Sequence, residues 1–500
     1  MTRQLLLVCF LCLLGVALGL FLVRGRVVHA QGAADWPQWG RTAQHSGFSP
    51  AVGQSPSTQL ADITFDPFVA QEQAEAGGDL LAHYQAPLVD GSNVLIEVKT
   101  GTYVSCQPPG SGHPFPCGPD AWNQEIWNER AYVWQGSSLV QSWNFQSDWK
   151  PEPNGGALGG WEPVFHAALG GGFVYVPGFA GSIYKLNESD GTQVAQYKPF
   201  STDDPNTYVS GPLTIDPRGN VYYNIVKLNG TNPWGSNVQG AWLVRVTGQG
   251  VVHTVSYQTL VPGAPTRCNG RPCGSQRPGI NVAPVLSPDG KIVYTVSVAH
   301  LAADFGYMVA ANSNLTAKWN TAIHGLISGA DPLVADMSSS TPAVFPDGSV
   351  AYGTLDFNGS RGYLLKLDST GKYLTNYNFG WDSTPASFSQ GGSYFVVIKD
   401  NNYGGGPYYV TELDSNLKPV WKFRSPTNFE WCVNAPAVDS TGTVYANSED
   451  GNVYVINPDG TLKGNIFLRR AIGAAYTPVA IGRDGKIYTE NDGDMFVIGQ

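Results

Sequence analysis

Charged residues are scarce in this 500-residue chain, at 14% of the total, and acids outnumber bases by 39 to 29. A nucleic-acid surface is thereby excluded as a partner, because neutralising phosphates needs clustered Lys and Arg. Metal-site spacing is missing too: no CxxC…CxxC or Cys/His pattern of a zinc site occurs, and the eight histidines are scattered. HExxH, GxSxG and GxxxxGK are absent, which removes the best-marked protease, hydrolase and phosphate-loop chemistries. One long apolar run exists, Leu5 to Val23, preceded by Arg3 and followed by the small-residue stretch Val28-His29-Ala30. It predicts export through residues 1–30, as a cleaved signal peptide or, since the run approaches the roughly 20 residues that span a bilayer, as a retained membrane anchor. Cleavage after Ala30 removes three arginines and no acid, taking the net charge from −10 to −13.

What the chain does have is glycine (60), proline (35) and 12% aromatic residues, a composition of many short strands joined by tight turns. A phrase recurs eight times: a small or polar residue, Pro, a Gly-containing turn, then a β-rich run usually ending in Tyr. Its prolines are Pro87, Pro163, Pro212, Pro284, Pro342, Pro385, Pro436 and Pro478, spaced 42 to 76 residues apart. A four-stranded propeller blade takes roughly 40–50 residues. Residues 31–500 are therefore expected to form a single all-β domain, an eight-bladed β-propeller of four-stranded antiparallel blades. The last copy stops at its third strand, DMFVIGQ, so Gln59–Phe65 (QLADITF) is expected to supply the fourth and close the ring.

The connections between first and second strands are all short, such as SPDG, FPDG and DSTG, giving the propeller a floor of tight turns. Surplus length falls at the opposite end. It lies between Gly101 and Glu129, Lys227 and Gln239, and Val261 and Val282. Cys106 with Cys117, and Cys268 with Cys273, bracket two of these excursions and are read as local disulfides of an oxidising compartment. Cys432 is left over: a small buried apolar residue, a reactive thiol or a partner for an intermolecular bridge. Elaborated loops on one face point to recognition of a protein, glycan or small polar ligand, against the alternative of functionless drift.

The residues just before each proline should ring the axial mouth on that face; Gln85, Glu162, Asn281, Asp382 and Asn434, joined by Ser210, Ser340, Ser383 and Tyr476, either hold a polar ligand or bind ordered water. Arg424, Arg469 and Arg470 are nominated to meet an anion, or to pair with neighbouring acids. Trp161, Trp381 and Trp431 either stack on a ligand ring or wedge between blades. Glu162, Asp336 and Asp382 are the acids from which a glycosidase pair would have to be drawn. SEDG (Ser448 to Gly451) and ENDGD (Glu490 to Asp494) lack a full calcium ligand series and are read as turns.

GTVYANSEDGNVYVINPDG, GFVYVPGFAGSIYKLNESDG and the opening DWPQWGRTAQHSGFSP together resemble the pyrroloquinoline-quinone-type β-propeller repeat family across essentially the whole mature chain. That resemblance implies the propeller fold. Its catalytic members are alcohol dehydrogenases that hold the quinone between a tryptophan and a disulfide of adjacent cysteines, with calcium on acidic and amide side chains; other members are envelope assembly factors. Here no two cysteines are adjacent and no CxxCH haem site occurs. The reading favoured is an exported non-enzymatic binding propeller. The alternatives are a quinone- and calcium-dependent oxidoreductase and an envelope assembly factor.

Overall fold

The computed structural model describes residues 36–71, 85–103, 124–151, 165–228, 238–268, 270–299, 302–335, 338, 340–356, 361–381, 383–402, 405–431, 435–469 and 478–500. Eight antiparallel sheets follow one another along the chain as the blades of a propeller. Blade 1 holds Leu88–Asp90, Asn93–Gly101, Glu125–Gln135 and Ser138–Gln146, and blade 2 holds Ala168–Gly170, Phe173–Pro177, Ile183–Asn187 and Gln193–Tyr197. Blade 3 runs from Thr207–Ile215 to Val252–Ser256, blade 4 from Gln276–Arg277 to Ala317–Ala322, and blade 5 from Pro332–Leu333 to Tyr373–Gly380. Blade 6 holds Ala386–Gln390, Ser393–Asn401, Tyr408–Asp414 and Pro419–Arg424; blade 7 runs from Ala437–Val438 to Leu462–Phe467, and blade 8 begins with Val479–Ile481.

Blades 4 and 5 depart from the four-strand expectation. In each, an additional two-residue strand, Gln276–Arg277 or Pro332–Leu333, pairs with the far end of the second strand beside the expected first strand.

Adhesion between blades comes from strand alternation. In blade 1, Val94, Ile96 and Val98 join the apolar cluster shared with blade 8, while Leu95, Trp127 and Ala131 join the cluster shared with blade 2. Each such buried side chain contributes ~1.5–3 kcal/mol relative to exposure. Trp431 belongs to this adhesive: it is fully buried and meets Tyr454 edge-on at 5.2 Å between blades 6 and 7, so it is a wedge. The SEDG segment is a turn, with Asp450 accepting from the Asn452 N–H at 2.9 Å and from Tyr454 Oη.

The expected closure is present. Thr58–Thr64 lies antiparallel to Asp494–Gly499 as the outermost strand of blade 8, with Asp62 opposite Phe496. Phe65 lies just past the strand, its N–H bonded to Gly493 O at 2.9 Å.

The segment ahead of that strand does something the repeat pattern did not announce. Trp36 exchanges two 2.9 Å backbone bonds with Val89 of blade 1, and Pro37 O accepts from Leu169 of blade 2 at 2.8 Å. The Gln38 amide pairs with the Ile215 backbone of blade 3. Ala43 O, Gln44 O and Ser46 O then accept from Leu286, Val344 and Ser387 of blades 4, 5 and 6. Gly47 O and the Ser49 N–H grip Val438 of blade 7, and the Gln54 N–H reaches Gly485 O of blade 8. Residues 36–54 thus circle the axis once, touching the innermost strand or its tight turn in all eight blades in order. All the contacts lie at the tight-turn end, so this segment is the floor of the propeller. Gly47 fits only because it lacks a side chain: at φ +61, a Cβ would lie 2.7 Å from Ala386 Cβ and 2.9 Å from Pro436 O.

Among the described residues no helix is long and apolar enough to cross a membrane; residues 1–30 lie outside them.

Candidate functional site

The floor sends side chains up into the axis. Trp39 is buried, donates its indole N–H to Thr384 Oγ1 at 3.2 Å, and meets the His166 ring edge-on at 5.6 Å. His45 is fully buried, with Nδ1 2.8 Å from Pro342 O and Nε2 3.4 Å from Thr214 Oγ1. Burial pushes both imidazoles down to about 4, so both are neutral at physiological pH.

The residues nominated for the mouth divide into three groups. Gln85 and Asn281 are buried beside the inner strands, and the Gln85 amide is engaged in holding the fold: its Oε1 accepts from the Glu97 N–H at 2.8 Å. Ser210 and Ser340 do the same between blades, through Ile280 O at 2.8 Å and the Ser383 N–H at 3.0 Å. Arg424 is not at the axis. It ends the outermost strand of blade 6 and is exposed, because the chain reaches a blade's fourth strand only at the rim. Glu162, Asp336, Asp382, Asn434, Arg470, Cys106 and Cys117 lie outside the described residues, as do Trp161, Tyr476 and Cys432. Arg469 pairs with Asp494 and lies 3.9 Å from Asp62, the acid-pairing alternative. The Cys268–Cys273 disulfide is formed and packs on Ala299, at the end of the blade-4 second strand remote from the floor.

The polar centre lies between blades 1 and 2, where Gln85 is the one nominated residue. Glu97 and Glu129 are directly opposite each other on neighbouring strands, which sets their Cβ atoms about 5 Å apart. Both border a small cavity with Gln85, Phe165 and His166. Burial alone pushes the Glu129 carboxyl up to about 8, so it keeps its proton at neutral pH. His166 Nδ1 lies 2.7 Å from Ala167 O and must carry the ring proton, because a carbonyl oxygen only accepts. That leaves Nε2 as a bare acceptor, buried and without a hydrogen-bond partner among the described residues. Next along the same face, Lys99 is wholly buried against Asp66 at 2.5 Å, with Glu125 at 3.9 Å. The sequence signal for this site was the alternation in NVLIEVKTG, where Glu97 and Lys99 fall on the same buried face as Leu95.

The cavity can receive hydrogen bonds from a polar group. No three His, Cys, Asp or Glu side chains converge among the described residues, and the chain has no adjacent cysteines. Glu490, buried in blade 8 with both carboxyl oxygens unpartnered and its pKa raised by burial, stands apart from this cavity.

No protein-family model matches the chain, and no curated protein matches it in sequence. Solved structures do match in fold. A europium-containing methanol dehydrogenase superposes with TM-score 0.60 at 12% identity, covering 92% of this chain and 90% of that one. The quinohemoprotein alcohol dehydrogenase of Comamonas testosteroni gives 0.56 at 12% identity over 96% and 83%, and the quinohemoprotein alcohol dehydrogenase ADHIIG of Pseudomonas putida HK5 gives 0.53 at 12% over 95% and 77%. The chain therefore has the eight-bladed fold of the quinoprotein alcohol dehydrogenases, the scaffold its repeats resemble. Fold does not carry activity, which resides in the site.

Proposed function

We propose that this protein is an exported, non-enzymatic binding propeller for a polar ligand, with the blade 1–2 cavity, which has room for one water-sized group, receiving a single hydroxyl or amine of that ligand. One observation carries the reading: Glu129 and the His166 Nε2 acceptor are buried on a shared cavity whose lining does not satisfy the nitrogen. An unmet buried polar group costs ~1–3 kcal/mol. An interface serving adhesion alone would do better with apolar residues of the same size, as on the opposite face of blade 1. A ligand donor reaching Nε2, with Glu97 and Glu129 accepting from it, offsets that cost. The formed Cys268–Cys273 disulfide supports action outside a reducing cytosol.

The test is a thermal-shift and calorimetric panel of small polyols and primary amines. Members that stabilise the wild type should lose their effect in His166→Phe and Glu129→Gln, while both variants remain folded. Undiminished binding in both variants overturns the assignment of the site. Stoichiometric retention of pyrroloquinoline quinone with dye-linked alcohol oxidation overturns the non-enzymatic reading.

A further inference from the structure

The polar capacity of the blade 1–2 cavity is one-sided. His166 is 2% exposed, and its Nε2 carries no proton and meets no donor among the described residues. Glu129 is also buried, and burial is the one cause acting on its carboxyl, so no neighbouring donor or cation compensates it. Gln85 does not supply the missing N–H. Its amide is spent on the Glu97 backbone, with Oε1 accepting from the N–H at 2.8 Å and Nε2 donating to the carbonyl at 3.4 Å. Among the described residues no lysine or arginine borders the cavity, and Lys99, next but one along the strand from Glu97, is committed to Asp66 at 2.5 Å. An occupant therefore meets two carboxyls and a bare nitrogen.

That set discriminates between the two groups the cavity has room for. A hydroxyl brings one donor and two lone pairs, so it cannot serve all three acceptors, and it leaves Glu129 holding its proton. An ammonium brings three donors, no lone pair and a positive charge, and an opposite charge close by favours the ionised carboxyl. Its bonds are charge-assisted, about twice as strong as neutral ones. The titratable groups facing Glu129 are Glu97 from the neighbouring strand and His166 from blade 2, and His166 stays neutral above about 4.

We propose that the blade 1–2 cavity selects a primary ammonium group, bound between His166 Nε2 and the Glu97 and Glu129 carboxyls. The assignment rests on the binding reading of this cavity and narrows its occupant from a hydroxyl or amine to an amine. On binding, the ammonium keeps its three protons and donates them as hydrogen bonds, while the Glu129 carboxyl gives its own proton to the buffer; no covalent bond to the ligand forms or breaks.

The test is calorimetric titration of the full chain with ethanolamine, ethylene glycol, ammonium chloride and potassium chloride at constant ionic strength, in two buffers that lack primary amines and differ in ionisation enthalpy. At pH 7 ethanolamine should bind about tenfold tighter than ethylene glycol and release about one proton. Its affinity should rise about tenfold from pH 6 to 7 and level off near pH 8, where Glu129 no longer holds a proton to displace. Glu129→Gln should lose both the tight binding and the proton release while keeping its cooperative melting transition. Equal or higher affinity for ammonium chloride identifies free ammonium as the occupant; preference for ethanolamine identifies an ammonium carried on a larger ligand. Ethylene glycol binding as tightly as ethanolamine, with no proton released, overturns the ammonium assignment and leaves the binding reading standing. Binding of none of the four probes overturns both. Potassium binding as tightly as ammonium, or proton release that survives Glu129→Gln, overturns the ammonium assignment as well.

Discussion

The floor of the propeller and the junction of blades 1 and 2 solve opposite problems. At the floor, residues 36–54 bond in sequence to every blade, and the contacts are backbone-dominated, close and satisfied. At the junction, by contrast, two carboxyls and a bare imidazole nitrogen line a cavity. The floor spends its polar groups on holding the ring; the junction withholds some of them. A difference of that kind separates structure from function on a scaffold whose blades otherwise repeat, because stability favours satisfied groups and recognition needs unsatisfied ones.

The comparison is broken most severely by deleting residues 31–66, which removes both the floor and the closing strand. The cooperative unfolding transition should disappear in calorimetry; a protein that kept it would be an open solenoid. Gly47→Ala strikes the floor at one point and should cost roughly 3–4 kcal/mol in urea denaturation, from a positive φ and two sub-3 Å contacts.

At the blade 1–2 junction the sign reverses. Folded Glu129 holds its proton up to about 8, whereas the unfolded carboxyl releases it near the ordinary 4.5. Its contribution to stability is therefore full below pH 4.5 and falls as pH rises toward 8. Glu129→Gln should remove that fall, matching wild type at pH 4.5 and exceeding it by about 2–3 kcal/mol at pH 7. His45 and His166, neutral when folded down to about 4, act oppositely, so stability should rise between about pH 4 and 6.5 in both proteins. Urea unfolding at pH 4.5, 5.5, 7 and 8.5 separates the two slopes. The smallest effect belongs to the double variant Cys268→Ser, Cys273→Ser: a short loop limits the loss to about 2 kcal/mol, with ligand affinity at the blade 1–2 cavity unchanged in titration.

The ring was legible because its evidence is local. Each Pro phrase and Gly turn sets the backbone of its own blade, and the shortage of strands at DMFVIGQ pointed to Gln59–Phe65. The site was less legible. Counting positions before each proline found residues near the axis but not how their atoms are used: Gln85 turned out to cap the Glu97 N–H. Arg424 was placed at the mouth because it precedes a blade-joining stretch, but it belongs to the outermost strand. The floor was written in DWPQWGRTAQHSGFSP, yet a segment with no period of its own gives no sign of which strands it will meet.

By itself the sequence determined the number of blades, their closing strand, the plain and elaborated ends and the short cysteine bridge, since each follows from turn chemistry and spacing within tens of residues. Only the tertiary structure decided that residues 36–54 line the floor, that Glu97, Glu129 and His166 share a cavity, and that Arg361 and Lys422 both grip Asp400. Those neighbours come from different blades or strands, and strand alternation says which face a side chain takes but not what the next blade brings against it.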